Sequence, residues 1–298
     1  MLSVRVPATS ANIGAGFDTF GAAFSFYNTF EFDETENGKL TIRGVGKKYQ
    51  DKNNLVYQAM QKVFREVGYK PRGIYIHEHT DIPVGRGLGS SATCIVAGLV
   101  GANILAGSPL SMDRLFELAV KMEGHPDNVA PAFFGGLVAS VMTPHKTFYI
   151  KEDISPQFSF FACIPDFKLP TVKARAALPK SVPYQDAVYN IGRANMTFLA
   201  LSRGLPELIG VAVNDKLHEP YRKGLIPHYK EVTHTARRMG ALNSYLSGAG
   251  PTIMLIAEAK NTAFPDKMGR WMAKNLPEWD FRRLKQTDYG VAVKEVGR

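Results

Sequence analysis

The strongest constraint on the fold is a glycine-rich segment between an alternating stretch and a long apolar run. Residues 73–79 alternate apolar with more polar side chains, which predicts a strand, and residues 91–105 have the length and composition of a buried helix. Between them lie Gly85, Gly87 and Gly89. Glycines allow a backbone to turn its N–H groups inward, and a helix N-terminus adds partial positive charge. The residues alone therefore allow either a phosphate-binding loop or an ordinary glycine-rich turn.

Two familiar phosphate-binding motifs do not describe this segment. A Walker loop ends in Gly-Lys-Ser/Thr, and no lysine lies between Pro83 and Ser91. A Rossmann fingerprint has the spacing Gly-x-Gly-x-x-Gly, whereas the three glycines here are separated by single residues. Ser90 and Ser91 follow the last glycine, where their hydroxyls are placed to bond a phosphate oxygen or a metal ion.

Polar groups concentrate in two further segments. Residues 7–18 are expected to form a loop of small residues directly after a predicted first strand, and the same composition is typical of a capped turn. Residues 123–128 follow a predicted helix that Ser111 caps, and four of them are capable of proton or metal chemistry: Glu123, His125, Asp127 and Asn128. A solvated surface loop is the alternative, but the apolar residues 129–136 predict that this segment is drawn towards a core.

Composition and charge make several classes of protein less favourable. The chain has 36 Lys and Arg against 27 Asp and Glu, a net charge of +9, but its basic residues are dispersed and cluster only in pairs. This distribution favours an enzyme with anionic substrates over a nucleic-acid-binding protein. Cys94 and Cys163 lie in separate apolar segments, which predicts free thiols in a reducing compartment. Without a signal sequence or an apolar segment long enough to span a bilayer, the expected location is the cytoplasm.

The glycine-rich segment matches a known motif in full. Residues 83–92 fit Pro-x-x-x-Gly-Leu-Gly-Ser-Ser-Ala of the GHMP kinases, which are ATP-dependent kinases of small molecules, and the chain resembles this family. The family's N-terminal and C-terminal motifs match residues 7–18 and 247–251. Within the family, the chain is most similar to the members that phosphorylate L-homoserine. The segments that carry this similarity are residues 9–18, 123–131, 169–175 and 218–222, with Ala15 as a small departure where proline is common.

This resemblance implies an α+β fold of two domains. Residues 1–150 are expected to form an N-terminal ATP-binding domain of the ribosomal protein S5 domain 2-like type, and residues 151–298 a ferredoxin-like C-terminal domain. The polar region 143–156 is the expected boundary. The implied activity is phosphorylation of the hydroxyl of L-homoserine by MgATP, a step of threonine biosynthesis, with no nucleic acid or membrane as partner. Homodimers are common among such relatives, but the sequence does not determine the oligomeric state.

The resemblance also implies which residues bind the nucleotide and the metal. Ser91 and Glu123 match the positions that hold Mg²⁺, and oxygen donors of this kind are the ligands this ion takes. The residues expected to contact ATP comprise one position near the adenine and eleven in the loop: Asn54, Pro83, Val84, Gly85, Arg86, Gly87, Leu88, Gly89, Ser90, Ser91, Ala92 and Thr93.

Homoserine is a zwitterion with a terminal alcohol, so its site requires an anion, a cation and a polar guide. By resemblance, Asp18 with Asn12 is expected at the ammonium group. Arg175 and Arg222 are expected at the carboxylate, which a guanidinium grips with two parallel bonds, and Thr171 is expected to support the same pocket.

Three residues are expected to act in catalysis. Glu123 holds the metal, Asn128 orients the alcohol, and Asp127 is the candidate general base. Because phosphoryl transfer depends mainly on positioning and charge neutralisation, Asp127 as a carboxylate that only holds its loop remains open. Three other functions also remain as alternatives: a GHMP kinase for a different small alcohol, a catalytically silent nucleotide-binding protein and, last, a nucleic-acid binder.

Overall fold

The computed structural model describes residues 1–295, and two β-sheets organise them. The first sheet has strand order β11-β1-β2-β4-β3, with β5 on β2 and β6 on β5, and only β3 and β4 pair in parallel. Its strands are β1 (Leu2–Asn12), β2 (Gly16–Glu34), β3 (Leu40–Arg43), β4 (Ile74–Thr80), β5 (Leu137–Met142), β6 (Thr147–Glu152) and β11 (Ala292–Glu295). The second, antiparallel sheet has order β10-β7-β9-β8, formed by β7 (Phe158–Ile164), β8 (Asn243–Leu246), β9 (Ile253–Glu258) and β10 (Asp280–Leu284).

Ten α-helices pack around these sheets within residues 1–295. They are α1 (Leu55–Val67), α2 (Ser90–Leu105), α3 (Met112–Glu123), α4 (Val129–Phe134), α5 (Thr171–Ala176), α6 (Tyr184–Arg203), α7 (Pro206–Ala212), α8 (Glu219–Arg222), α9 (Tyr229–Arg238) and α10 (Phe264–Asn275). The predicted strand, glycine-rich turn and helix over residues 73–105 are all present, and Ser111 caps α3 as expected. The mixture of helix and strand confirms the α+β class.

Helix α2 is buried on nearly every side, so it fixes the start of the glycine-rich loop within a packed core. It lies between α1, α3 and β1, and its small residues permit close approach. At Gly98, a Cβ atom would meet the backbone carbonyl of Val56 on α1 at a distance that real side chains do not reach. Any larger residue at this position would push the two helices apart.

The chain crosses between the sheets more than once. Strand β6 ends at Glu152 and β7 opens the second sheet at Phe158, yet β11 returns to pair with β1 of the first sheet. One apolar core joins both halves, with Phe24 of β2 packed edge-on against Phe160 of β7 at 5.3 Å between ring centroids. The domain boundary at residue 150 stays a prediction. Strand β11 falls in the predicted C-terminal domain by its position in the chain, although it pairs with β1 of the first sheet. Among the described residues, no helix combines the length and apolar character that a bilayer crossing requires.

Candidate active site

A cavity of about 500 Å³ lies between the glycine-rich loop and the second half of the chain. Residues from both halves line it, including most of the residues predicted from the sequence. The predicted residues on its wall are Asn12, Asp18, Asn54, Val84, Gly85, Gly87, Gly89, Ser90, Ser91, Glu123, Asp127, Asn128, Thr171, Arg175 and Arg222.

Five residues of the predicted ATP loop do not line this cavity: Pro83, Arg86, Leu88, Ala92 and Thr93. Leu88 and Ala92 are buried in apolar cores, and the Thr93 hydroxyl donates to the carbonyl of Ser90 at 2.8 Å. The guanidinium of Arg86 bonds the second half of the chain, donating from Nε to the carbonyl of Pro165 at 2.8 Å. These side chains hold the loop in place, and their contact with ATP stays a prediction.

The loop is clamped between the family's N-terminal and C-terminal motifs. Gly89 has a left-handed φ of 70° at the start of α2, and a Cβ atom there would collide with the hydroxyl of Thr9. From the other side, Ser247 Oγ donates to the carbonyl of Gly87 at 2.5 Å and shares a hydrogen bond with Ser10 Oγ at 2.7 Å. The backbone N–H groups in the first turn of α2 have no acceptors within the helix. They lie at this clamped loop, where such groups can bind an anion.

Ser91 and Glu123 are in contact where the loop joins α2, an arrangement that suits their predicted role as metal ligands. Ser91 lies in the first turn of α2 and Glu123 is the last residue of α3, and Ser91 Oγ donates to Glu123 Oε1 at 2.8 Å. Burial raises the pKa of the Glu123 carboxyl, although the bond from Ser91 and the positive charges of His125 and Arg175 oppose the rise. The pair offers two hard oxygen donors on one side of the cavity.

A chain of hydrogen bonds fixes Asp127 and Asn128. The Asp127 side chain is only 2% exposed, and His125 Nδ1 bonds its Oδ1 atom. Asn128 Nδ2 donates to the same oxygen at 3.3 Å, while Asn128 Oδ1 accepts from the Thr9 hydroxyl at 2.8 Å. Burial opposes a charged imidazole, but the bond and charge of Asp127 outweigh it, so the pKa of His125 is raised. His125, to which the sequence assigned no particular role, is thus the direct partner of the candidate base.

Asp18 and Arg175 form a two-bond ion pair across the cavity, which the sequence analysis did not predict. Arg175 Nη1 and Nη2 lie 3.0 and 2.8 Å from the two carboxylate oxygens of Asp18. Asn12, predicted beside Asp18, accepts from the backbone N–H of Asp18 at 3.0 Å and donates to the carbonyl of Gly248 at 2.8 Å. Both Asn12 and Asp18 have positive φ, 73° and 56°, a conformation that Asn and Asp tolerate better than most residues.

Arg222 is the most deeply placed cation of the cavity, with 2% of its surface exposed. Its Nε donates to the carbonyl of Ala174 and its Nη1 to that of Gly248, each at 3.2 Å. Burial and the neighbouring charge of Arg175 lower its pKa. Phe17, which sequence reasoning missed, packs under both arginines, with its ring centroid 5.2 Å from Arg222 Cζ and 5.8 Å from Arg175 Cζ. Thr171 is exposed at the rim, where α5 begins.

Asn54 lies at the opposite end of the cavity with its amide already bonded. Its Oδ1 accepts from the N–H of Tyr57 at 3.0 Å and so caps α1, while Nδ2 donates to Glu78 Oε1 at 2.6 Å and to the carbonyl of Tyr49 at 2.9 Å. Glu78, Tyr49 and Cys94 also line this end and were not predicted. A buried acid on an otherwise apolar strand face was the available signal for Glu78.

Comparison with known proteins identifies the family. Residues 54–136 match the model for the GHMP kinases N terminal domain, and residues 198–274 match the model for the GHMP kinases C terminal domain. The chain is 46% identical to homoserine kinase of Clostridium botulinum over 293 residues, covering 98% of both chains. It is 45% identical to homoserine kinase of Clostridium beijerinckii over 296 residues, or 99% of each.

A solved structure agrees with these sequence matches. The homoserine kinase of Cytophaga hutchinsonii superimposes with a TM-score of 0.84 at 28% identity, covering 98% of this chain and 97% of that one. Its likeness extends over both sheets, because the coverage is nearly complete. The fold, the phosphate loop with its two clamping motifs and these matches together show that the chain belongs to the homoserine kinase family within the GHMP kinases.

Proposed function

We propose that this chain transfers the γ-phosphate of ATP to the side-chain hydroxyl of L-homoserine, producing O-phospho-L-homoserine for threonine biosynthesis. The single observation that carries the proposal is a cavity with two chemically different ends. One end has backbone N–H groups at a clamped helix start, which suit phosphates. The other has Asp18, Arg175 and Arg222, which suit the two charged groups of an amino acid.

Substrate binding at the amino-acid end follows from the charges of these three residues. Arg222 and Arg175 attract the carboxylate of homoserine, and Asp18 attracts its ammonium group. Because Asp18 and Arg175 already bond each other, the incoming zwitterion replaces one internal ion pair by two pairs with the substrate. An uncharged alcohol of the same length offers no such exchange, so the arrangement favours an amino acid over a neutral substrate.

The reaction balances with the residues between the two ends. The hydroxyl oxygen of homoserine forms a bond to the γ-phosphorus, and the bond from that phosphorus to the β,γ-bridging oxygen breaks, releasing ADP. Asn128 is fixed by Thr9 and orients the alcohol. Asp127 receives the hydroxyl proton; because His125 and Asn128 both bond its Oδ1, we assign this role to Oδ2. His125, with its raised pKa, stabilises the carboxylate before the transfer.

The donor set at the loop fits a magnesium ion. Ser91 and Glu123 present a hydroxyl and a carboxylate 2.8 Å apart beside the phosphate loop, and Mg²⁺ is commonly bound by one or two such groups together with substrate phosphates. These two residues would hold the ion. When bound, it supplies neutralisation of the negative charge on the transferred phosphate.

Two broader parts of the proposal rest on less specific features. The cytoplasm is the proposed location, since both cysteines, Cys94 and Cys163, are free thiols as in a reducing compartment.

A homodimer is the proposed assembly, supported by a row of exposed apolar residues on α6, Tyr184, Val188 and Ile191. Light scattering of the purified chain measures the molar mass and tests this assembly.

The test of function is ADP release from MgATP in the presence of L-homoserine, compared with L-threonine, L-serine, mevalonate and galactose. Turnover with homoserine alone is the expected result. Turnover with another alcohol would keep the kinase activity and reject the substrate. ATP binding without turnover on any alcohol would reject catalysis altogether. Repeating the assay with chelator and then with added Mg²⁺ tests the metal separately.

A further inference from the structure

Strand β4 presents different side chains on its two faces. Glu78 and Thr80 line the ATP end of the cavity, while His77 and His79 lie on the opposite face, since successive side chains of a strand alternate. That opposite face carries a third polar group, Glu31 of β2, which is the direct cross-strand partner of His77. None of these three residues belongs to the cavity.

The three side chains converge on one point. Glu31 Oε2 lies 3.3 Å from His77 Nδ1 and 3.6 Å from His79 Nε2. One ligand atom from each of the three residues lies within 4.8 Å of the other two. In a tetrahedral site with metal bonds of about 2.0–2.2 Å, neighbouring ligand atoms are about 3.3–3.6 Å apart. Both distances from Glu31 to the histidine nitrogens therefore already match the separation of ligand atoms that share one metal ion. The side chains belong to two directly paired strands, β2 and β4.

We propose that Glu31, His77 and His79 form a binding site for a divalent transition-metal ion on the outer face of the first sheet. Two imidazoles and a carboxylate suit Zn²⁺ and similar ions, and they are a poor match for Mg²⁺, which prefers oxygen. The residues are one-quarter to one-half exposed, so an ion can reach them and water can complete its coordination. Arg43 of β3 pairs with His77 in register, and Arg5 of β1 pairs with Thr29, the partner of His79, so a bound metal must coexist with both cations.

Such an ion would join β2 to β4 beside the place where the phosphate loop begins. Asn28 of β2 accepts from the N–H of Ile82 at 2.9 Å and donates to Thr93 at 2.9 Å, so the same strand pair anchors both ends of the loop. Metal binding to the folded state alone would stabilise this strand pair by mass action. The site is thus a structural support for the kinase, separate from its Mg²⁺ chemistry.

The test is calorimetric titration of the full, tag-free chain with Zn²⁺ in a chelator-free buffer. We expect one equivalent to bind, with affinity reduced more than about tenfold in the double variant His77→Gln/His79→Gln. Co²⁺ should give the intense visible absorption of a four-coordinate site in the wild type and lose it in the double variant. If that variant folds poorly, the single change His79→Gln, at the most exposed of the three residues, gives the same comparison.

Two control variants make the result specific. His228→Gln removes a histidine that bonds Glu231 at 2.9 Å without a third ligand, and His125→Gln alters the other cluster of His and carboxylates, at Asp18 and Asp127. We expect the His228→Gln variant to bind Zn²⁺ as the wild type does. We expect the same of the Glu31, His77 and His79 site in the His125→Gln variant. Absence of Zn²⁺ binding, equal affinity in the His77→Gln/His79→Gln variant, or loss of the bound equivalent in His125→Gln would each overturn the proposal.

Discussion

The two ends of the cavity are built in different ways. At the end proposed to bind ATP, one continuous segment, the loop and the first turn of α2, supplies the backbone groups expected to bind the phosphates. The amino-acid end is assembled from β1, β2, α5 and α8, which contribute Asn12, Asp18, Arg175 and Arg222. Binding by a glycine-rich loop depends on the conformation of its backbone more than on its side chains. Binding at the proposed amino-acid end depends on the individual charged side chains.

The groups proposed to take part in the reaction lie between these ends and share features of both. Glu123 to Asn128 form one short segment, yet Thr9 and Ser91 from distant parts of the chain hold two of its side chains. We therefore expect substitutions here to have the largest effects, followed by the metal side of the ATP end and then by the amino-acid end. The predictions below follow that order.

The change Asp127→Asn should lower kcat by about 10²–10⁴-fold, the range associated with general-base catalysis. Asparagine keeps the size of the side chain and its contact with His125, so both substrate KM values should change little. Steady-state kinetics with each substrate in turn measures this. A loss of only about tenfold would instead assign Asp127 a positioning role and leave catalysis to charge neutralisation.

The change Glu123→Ala should lower kcat by about 10²–10³-fold, because one charge-stabilising group at the transferred phosphate is lost. Its matched control is Asp113→Ala, which removes an exposed acid from the first turn of the same helix, α3. Raising the Mg²⁺ concentration should recover part of the lost rate. A Glu123 variant with near-normal turnover would remove this residue from the metal site.

Local sequence patterns predicted the secondary structure of the proposed ATP end better than that of the proposed amino-acid end. The loop, the helix after it and the cap at Ser111 depend on local patterns, and all three occur where the patterns predicted them. Strand β2 is the contrast: the sequence pattern predicts a strand only over residues 27–32, whereas the strand runs over Gly16–Glu34. Strand β1 likewise continues to Asn12, through residues expected to form a loop. The first half of β2 contains small residues with weak strand preference, and pairing with β1 and β5 determines its conformation instead.

The contacts within the site could not be predicted from local sequence patterns either, because they join residues that are far apart in the chain. The resemblance implied both Asp18 and Arg175, but their ion pair joins strand β2 to helix α5 across 157 residues of sequence, which no local spacing reveals. Phe17 was passed over because an aromatic residue beside Asp18 is normally explained by core packing. Its contacts with both arginines become visible only when α5 and α8 are brought over it.

At the amino-acid end, Arg222→Ala should raise the KM for homoserine by about 10²-fold, since a buried charged group that pairs with the substrate contributes a few kcal/mol. The KM for ATP should change less than threefold, on the order of an ordinary distant substitution. Arg193→Ala is the matched control, because this arginine stacks on Tyr189 and does not line the cavity. An equal rise in both KM values would show that the two ends are not separable.

The smallest expected effect concerns Glu219, three residues before Arg222. It accepts from the N–H of Leu246, which precedes the C-terminal glycine-rich motif, and from the hydroxyl of Tyr229. Desolvation of its carboxyl group raises its pKa to about 7; Asp215 adds to the rise, while the bond from Leu246 and the charge of Lys223 oppose it. His234 and Arg237 line the small cavity next to it.

Stability should therefore depend on pH through this carboxyl group. Between the unfolded pKa of about 4.5 and the folded pKa of about 7, the folded protein retains a proton that the unfolded chain has released. The free energy of unfolding should thus fall by about 2 kcal/mol from pH 5 to pH 7 because of Glu219. Glu219→Gln removes this contribution, so urea unfolding of wild type and variant should differ in slope over that range and run parallel above pH 8. Parallel curves throughout would mean that Glu219 is ionised in the folded protein.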